Sequence, residues 1–468
     1  MSTQKQFIDF VKKIGYDVKP HQLEGYKWCH EKEQTGGGML CDDMGLGKTL
    51  MMLSQVVLNR KKRTLIVLPP ILVDQWVNKC KKLLKHVPLV YHGINVKHYE
   101  MEDILKRPLV ITTYGMIGKR TGSFDRLHWQ SPLWNIKWDR VIYDEAHYMR
   151  NKETGVYKGA LRLKAPIIWI VTGTPLQNNL DDAKTLASLL PYDECNMTRF
   201  HKMGEKNVIK TIKSHILFRS KKEAGIVLPP YNENVIMVPF KGENDMAYDI
   251  HSRLNFSNVT KENVNAIMKN MGESALPILT RARQICICPS TLTSVSKEGF
   301  TLSERQGLPN FKKMSHSKLE AVIKHILKNR KTKKLVFVYY DREAMILKHH
   351  LSKKGMKVGI VNGKVMKKEK VKLLNSNDLD VLIIQNKSGV EGLNLQQYCN
   401  VYFTSPHWNP YMEDQAIGRS YRIGQKNPVC VFKFVSVFNN NIGKMTLDQY
   451  CMEVQAVKRE LCNELKGK

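Results

Sequence analysis

The sequence predicts an α/β protein with two lobes, each built on a parallel sheet. Short apolar runs alternate with amphipathic stretches in two separate series, and 468 residues exceed what one hydrophobic core usually organises. The first series predicts strands at Met39–Cys41, Thr64–Leu68, Leu109–Thr112, Arg140–Tyr143 and Ile167–Thr172. The second predicts strands at Leu335–Tyr339, Val358–Val361, Val381–Gln385, Asn400–Thr404 and Pro428–Phe434.

The stretch between the two series, from about Asp193 to Lys333, is rich in Lys, Asn and Ser and has no clear strand rhythm. We interpret it as mostly helical insertions plus a hinge. Leu228-Pro229-Pro230 is the predicted linker, because consecutive prolines favour an extended backbone. The expected domains are an N-terminal lobe at residues 1–228, a helical insertion and linker at residues 229–315, and a second lobe with a closing helix at residues 316–468.

Positive charge dominates the composition. Lys and Arg number 74 against 43 Asp and Glu, which gives a formal net charge of +31. Such an excess favours a polyanionic partner, because phosphate backbones attract Lys and Arg regardless of sequence. Each basic cluster alone is more typical of a solvated surface, but together they are candidates for that contact: Arg60–Arg63, Lys79–Lys85, Lys221–Lys222, Lys331–Lys334 and Lys364–Lys370.

The sequence also argues against several classes of protein. It contains no apolar run of about 18 residues that could span a bilayer, and its first residues lack a signal-peptide core. We therefore expect a protein that is neither secreted nor bound to a membrane. The ten cysteines form no CxxC pair, which argues against a zinc module and favours reduced thiols in an intracellular protein.

A candidate phosphate-binding loop leads from a predicted strand into an apolar helix. Its glycines let backbone N–H groups approach phosphate oxygens, Lys48 would contact the β- and γ-phosphates of ATP, and Thr49 would ligate Mg²⁺. The strict GxxxxGK[ST] pattern fails because Asp42 stands in place of the first glycine, so this loop alone is ambiguous. The expected nucleotide-binding residues are Asp43, Met44, Gly45, Leu46, Gly47, Lys48 and Thr49.

Two adjacent carboxylates follow the predicted strand that ends at Tyr143. Open α/β sheets bind ligands at the carboxyl ends of their strands, so Asp144 can hold Mg²⁺ and Glu145 can orient or deprotonate the attacking water. An acidic loop in solvent is the alternative interpretation, which the presence of Lys48 and Thr49 disfavours. Another strand leads into Thr172–Asn178, whose hydroxyls and amides could sense the γ-phosphate.

Two arginines in the second lobe complete the predicted catalytic set. Arg419 and Arg422 are three residues apart, which on a helix would place them on one face. Arginines supplied from outside the phosphate loop stabilise charge on the transferring phosphoryl group. An exposed basic helix face is the alternative interpretation.

The motifs and their order resemble the Swi/Snf-related ATPases of helicase superfamily two, which are DNA translocases with two RecA-like lobes. The similarity extends from about His21 to about Lys458, and the family's DxMGLGKT loop accounts for Asp42. The matching segments are His21–Trp28, Asp42–Thr49, Leu65–Trp76, Ile111–Tyr114, Thr172–Asn179, Gly389–Gln396, Ser405–Pro410 and Gln415–Gln425. Leu65–Trp76 and Ile111–Tyr114 are similar to DNA-contacting motifs.

The resemblance implies an N-terminal ATP-binding lobe and a C-terminal helicase lobe, and it adds site residues. Gln22 would contact the adenine base, and Gly392 would lie at the nucleotide. Gln415, Arg419 and Arg422 would complete the catalytic site when the lobes close. One segment departs from the family pattern: residues 388–395 include Val390-Glu391, whereas the family usually has the sequence AGGVGLNL there. In the family this segment couples DNA contact to hydrolysis.

We therefore expect a monomeric motor that depends on ATP and Mg²⁺ and moves along double-stranded DNA. It would contact the DNA backbone without regard to base sequence and displace bound proteins without separating the strands. A strand-separating helicase and a non-catalytic DNA-binding scaffold are the alternatives. The short form and the SPHWNP segment are similar to versions in large DNA viruses. The expected location is the nucleus, or a cytoplasmic viral factory or virion if the protein is viral.

Overall fold

The computed structural model describes residues 3–93, 96, 99–118, 131–174, 180–254, 256, 258–261, 263–264, 267, 275–294, 315–386, 394–439 and 444–466. These residues divide into two compact units. The first unit lies within residues 1–227 and 462–468, and the second lies within residues 228–461. Each unit contains one parallel sheet flanked by helices, which confirms the α/β fold class with two lobes.

Seven parallel strands form the sheet of the first unit. In chain order they are β1 (Gly37–Leu40), β2 (Thr64–Leu68), β3 (Leu89–Tyr91), β4 (Leu109–Thr113), β5 (Arg140–Asp144), β6 (Ile167–Val171) and β7 (Ile216–Leu217). They lie side by side in the order β3-β4-β2-β5-β6-β1-β7. Every residue of β1, β2, β4, β5 and β6 is buried, as expected for strands covered on both faces.

Helices flank the sheet of the first unit, and the amphipathic ones bury an apolar stripe. In α4, for example, the buried residues recur at helical spacing: Val73, Trp76, Cys80 and Leu83. The described helices are α1 (Thr3–Lys13), α2 (Pro20–Glu33), α3 (Lys48–Leu58), α4 (Val73–Leu84), α5 (Met101–Leu105), α6 (Tyr114–Ile117), α7 (Gly155–Ala160), α8 (Leu180–Ala187), α9 (Met197–Lys202) and α10 (Glu205–Ser214).

The second unit repeats this plan with six parallel strands. They are β8 (Tyr231–Pro239), β9 (Lys334–Val338), β10 (Val358–Val361), β11 (Val381–Gln385), β12 (Asn400–Phe403) and β13 (Val429–Val437), in the spatial order β10-β11-β9-β12-β13-β8. The described helices are α11 (Asn244–Ser252), α12 (Ala275–Ile287), α13 (Ser317–Lys328), α14 (Asp341–Lys353), α15 (Lys367–Leu374), α16 (Pro410–Ile417) and α17 (Leu447–Lys466).

All ten predicted strands are present, but three further strands were not predicted. β3 and β7 are too short to show a periodic pattern. β8 corrects the interpretation of residues 229–315 as helical insertion and linker, because it pairs with β13 along its whole length. Its first half contains the polar residues Asn232-Glu233-Asn234, and as an edge strand it leaves Tyr231, Val235 and Met237 exposed, so it does not resemble a central strand throughout.

None of the described helices combines the length and apolarity that crossing a membrane requires. The described part of the chain also holds no group of three or more His, Cys, Asp and Glu side chains placed to bind a metal ion.

Candidate active site

Three neighbouring strands of the first unit carry the predicted catalytic segments at their carboxyl ends. β1 leads into the phosphate loop, β5 ends on Asp144, and β6 is followed by Thr172. β6 lies between the other two, with Val171 in register both with Leu40 of β1 and with Asp144. The sheet therefore brings the loop, the carboxylates and the Thr172 segment to one edge, where parallel sheets bind their ligands.

The phosphate loop depends on two glycines with positive φ. Gly45 and Gly47 both have φ of +92°, in the left-handed region that favours glycine. A Cβ added to Gly47 would lie 2.5 Å from Nε2 of Gln22, and this Nε2 donates a hydrogen bond to the carbonyl oxygen of Leu46 at 3.4 Å. A ring nitrogen of His21 lies 3.1 Å from the same oxygen. The start of α2 thus packs directly on the loop.

Lys48 is the first residue of α3 and lies beside two of the strand ends. Its Nζ donates hydrogen bonds to the carbonyl oxygens of Asp42 at 2.5 Å and Asp43 at 3.3 Å. A Cβ added to Gly173, in the segment after β6, would lie 3.5 Å from Nζ. The ammonium group therefore lies where the loop and the Thr172 segment meet, and it can balance phosphate charge there.

The Asp144 carboxylate is held from two sides. The indole N–H of Trp76 donates to Oδ2 at 2.7 Å, and the backbone N–H of Glu145 donates to Oδ1 at 3.1 Å. The hydroxyl of Tyr114 donates to the Asp144 carbonyl oxygen at 2.6 Å. Burial and the neighbouring Glu145 carboxylate raise the pKa of Asp144, so a cation near this carboxylate would stabilise its charged form.

These residues fit a magnesium ion that is bound together with a nucleotide. Mg²⁺ retains several waters and takes one or two protein oxygens besides the phosphates in nucleotide hydrolases, so a cluster of three side chains is not required. Asp144 and Thr49 supply oxygens of that chemistry. Thr49 is half-buried at the second position of α3, in the same unit.

Glu145 has a backbone conformation that is unusual for a residue with a side chain. Its φ is +51°, a left-handed conformation that costs about 1–3 kcal/mol and that clusters at functional sites. Its side chain is only 15% exposed, and its Oε2 lies 3.3 Å from Nδ1 of His147. Asp144 is buried as well, so the alternative of an acidic loop in solvent is wrong.

Gln415, Arg419 and Arg422 lie in the second unit. The expectation that both arginines share a helix face is wrong, because α16 ends at Ile417 and they follow in a turn. The alternative of an exposed basic helix is also wrong for Arg419, which is buried. Side chains of the same motifs hold this turn: Nε2 of Gln396 donates to the Ile423 carbonyl at 2.7 Å, and Nε2 of Gln425 donates to the Ser420 carbonyl at 2.9 Å.

Several predicted positions lie outside the described residues: Gly392, Val390-Glu391 and the end of the Thr172–Asn179 motif from Pro175 onward. The catalytic roles of Gln415, Arg419 and Arg422 remain predictions.

Two site residues were missed at the level of sequence. Trp76 belongs to a segment predicted to contact DNA, yet its side chain is buried against Asp144. Arg219 belongs to no predicted motif, although it pairs with the buried Asp42. An acidic residue in place of a loop glycine was a signal that a cation lies nearby, but the partner is 177 residues away in the chain.

Comparisons with known proteins identify the family. Residues 21–291 match the SNF2-related domain, and residues 317–424 match the helicase conserved C-terminal domain. The probable global transactivator of Orgyia pseudotsugata multicapsid polyhedrosis virus is 27% identical over 442 residues, which cover 90% of this chain and 87% of the viral protein. An Arabidopsis thaliana protein, a putative SWI/SNF-related matrix-associated actin-dependent regulator of chromatin subfamily A member 3-like 1, is 22% identical, with 96% and 72% covered.

Among solved structures, the SWI2/SNF2 ATPase core of Sulfolobus solfataricus in complex with double-stranded DNA is 24% identical, with a TM-score of 0.43 and coverage of 90% of this chain and 88% of that one. Six further curated relatives are longer proteins, of which the chain spans 26% to 60%. The SNF2-related domain matches more than half of the 468 residues of this chain. The chain therefore belongs to the SNF2-related family of helicase-like ATPases and is an ATP-hydrolysing enzyme.

Proposed function

We propose that the protein is a DNA-dependent ATPase that translocates along double-stranded DNA, as a monomer, and thereby remodels or displaces DNA-bound proteins. The observation that carries the proposal is the assembly of Lys48, Asp144, Glu145 and the Thr172 segment at one edge of the first sheet. This assembly supports catalysis over a scaffold role. Relatives named as a viral global transactivator and as a chromatin regulator support a substrate of protein-bound DNA.

The first unit supplies groups for the phosphates, for Mg²⁺ and for the attacking water. When bound, ATP with Mg²⁺ supplies the phosphoryl group that is transferred to water. Lys48 and the N-terminal N–H groups of α3 neutralise the phosphate charge, Asp144 and Thr49 would hold Mg²⁺, and Glu145 orients the attacking water or accepts its proton. The hydrogen bond from Trp76 keeps the Asp144 carboxylate in one orientation while this happens.

Exposed basic side chains in both units support a nucleic-acid partner. Lys81, Lys82 and Lys85 are exposed at the end of α4, and Lys364 and Lys368 are exposed near α15. Phosphate contacts of this kind are independent of base sequence and weaken steeply with salt.

The basic cluster 331–334 is smaller than predicted. Lys334 begins β9, is buried, and donates its Nζ hydrogen to the carbonyl oxygen of Thr332, so it is unavailable to DNA.

Displacement of a triplex-forming oligonucleotide from duplex DNA tests the proposal. Translocation along the duplex strips the third strand in an ATP-dependent reaction, and a Lys48→Ala variant provides the inactive control. A forked duplex assayed in parallel reports strand separation. Third-strand displacement without separation of the fork supports the translocase. Separation of the fork would favour the helicase alternative, and DNA binding with neither reaction would favour the scaffold.

A further inference from the structure

Asp42 and Arg219 form a largely buried ion pair at the base of the phosphate loop. The Asp42 side chain is fully buried, and that of Arg219 is 14% exposed. The guanidinium donates to both carboxylate oxygens, through Nη2 to Oδ2 at 2.6 Å and through Nε to Oδ1 at 3.1 Å. The backbone N–H of Arg219 also donates to Oδ1 at 3.1 Å. This two-pronged geometry fixes the orientation of the carboxylate.

The backbones around the ion pair are hydrogen-bonded to each other. The N–H of Cys41 donates to the Leu217 carbonyl at 2.8 Å, and the N–H of Asp43 donates to the Arg219 carbonyl at 2.9 Å. In return, the N–H of Lys221 donates to Oδ2 of Asp43 at 3.1 Å. The start of the phosphate loop is therefore held by hydrogen bonds to the chain segment that follows β7.

Helix α2 is shaped to admit the guanidinium. A Cβ added to Gly25 would lie 2.7 Å from Nη2 of Arg219 and 2.4 Å from Sδ of Met51, so any larger residue here would displace the ends of these two side chains. The neighbouring Glu24 carboxylate lies 3.4 Å from Nη1 and is mostly exposed. Burial of the Asp42 contact and exposure of the Glu24 contact predict very different contributions from the two acids.

The ion pair is connected to the catalytic lysine through one residue. Asp42 contacts Arg219 through its carboxylate and Lys48 through its carbonyl oxygen. A shift of Asp42 would therefore move both the backbone N–H groups of the loop and the acceptor that orients the Lys48 ammonium group.

We propose that Arg219 is a positioning residue of the nucleotide site. Arg219 acts through Asp42, which holds the loop and Lys48 in the arrangement that binds the nucleotide. The inference rests on the ATP site of the proposed function and is independent of the DNA partner.

Binding of the fluorescent nucleotide mant-ADP, measured without DNA, tests this role. The main variant is the double substitution Asp42→Asn with Arg219→Gln, which removes both charges and so leaves no unpaired buried charge. A second variant, Arg219→Lys, retains the charge but loses the two-pronged donor. Glu24→Gln removes the exposed partner of the same guanidinium. The structural control is the double substitution Glu33→Gln with Arg140→Gln, which neutralises a fully buried ion pair. Arg140 is the first residue of β5, at the end of the strand opposite to Asp144.

The proposal predicts mant-ADP binding at least about tenfold weaker in the double variant and intermediate in Arg219→Lys, because small displacements of binding groups are costly. Glu24→Gln should stay within about twofold of the wild type. The Glu33/Arg140 control should lower the thermal unfolding temperature but leave mant-ADP affinity unchanged below that temperature. The KM for ATP should rise more than kcat falls in the double variant. A folded double variant with wild-type affinity, or one whose affinity falls only as far as that of the Glu33/Arg140 control, would overturn the proposal.

Discussion

Trp76 donates its indole N–H to Oδ2 of Asp144 at 2.7 Å, and both side chains are buried. Trp76 lies on α4, which follows β2, whereas Asp144 ends the adjacent strand β5. Lys81 and Lys82, in the last turn of α4, are exposed to solvent. One helix thus presents cations at its surface and a hydrogen-bond donor to the carboxylate assigned to Mg²⁺. Under the proposed function, DNA bound at these lysines would have a direct physical route to the catalytic site.

Replacement of Trp76 by Phe should lower kcat for ATP hydrolysis about ten- to a hundredfold. Phe keeps an aromatic ring at this position but is smaller than the indole, and the carboxylate loses a hydrogen bond of a kind worth about 1.5–3 kcal/mol. Steady-state hydrolysis measures the effect. Trp138→Phe is the matched control, because the Trp138 indole is also buried and donates to the Leu133 carbonyl at 3.0 Å. Equal losses in both variants would contradict a specific role for Trp76.

Glu145→Gln should abolish turnover while nucleotide binding persists. The amide keeps the size of the side chain but is a poor base, and loss of a positioned base costs about 10²- to 10⁴-fold in rate. Single-turnover hydrolysis and mant-ADP binding separate the two effects. Lys48→Ala, in contrast, should lose binding and turnover together. Unchanged turnover in purified Glu145→Gln or Lys48→Ala protein would refute the assignment of the site.

Gly47→Ala should disable nucleotide binding with little loss of global stability. An added Cβ would strain the loop backbone at φ +92° and would lie 2.5 Å from Nε2 of Gln22, so it would also displace the side chain that binds the loop. Gly115→Ala makes the same chemical change at the start of α6, where a Cβ would meet nothing within 4 Å. Titration with mant-ADP should show weak binding only for the first variant; wild-type affinity in both would show that the loop adapts.

Glu343 should make the second unit less stable as pH rises from about 4.5 to about 7. Burial raises the pKa of this carboxyl to about 7, although the N–H groups of Tyr339 and Tyr340 donate to its Oε2. Because the folded state binds the proton more tightly than the unfolded state, protonation of Glu343 stabilises the fold at low pH. The free energy of unfolding should fall by about 3 kcal/mol as pH rises through the folded-state pKa.

Urea unfolding of wild type and Glu343→Gln at pH 5 and pH 8 measures this linkage. The amide resembles the protonated acid, so the variant should match the wild type at pH 5 and exceed it in stability at pH 8. A variant that is less stable by the same amount at both pH values would exclude a titration of Glu343 over this range.

The motif residues of the first lobe could be predicted because they follow central strands. Lys48, Asp144 and Thr172 each come after a buried apolar run, and the carboxyl ends of parallel strands meet at one edge. Which strands are neighbours was not predictable, because pairing depends on contacts between distant parts of the chain. β8 was not predicted because it is an edge strand that pairs with β13 alone among the described strands, and its polar residues face solvent.

Contacts that orient the site were harder to predict than the site itself. Arg219 pairs with Asp42 across 177 residues, and no local pattern marks an arginine that fills a space left by Gly25. The turn at Arg419 was predicted as a helix because its spacing is compatible with one. In the structure the side chains of Gln396 and Gln425 bind the backbone of that turn and replace the helical pattern.

Steady-state ATP hydrolysis with no nucleic acid, single-stranded DNA, double-stranded DNA and duplex RNA, at low and moderate salt, tests the central claim most directly. We predict strong stimulation by double-stranded DNA alone, a loss of stimulation as salt rises, and no activity in Lys48→Ala protein. Stimulation by RNA or only by single strands, or hydrolysis that is indifferent to all four conditions, would contradict a motor that works on double-stranded DNA.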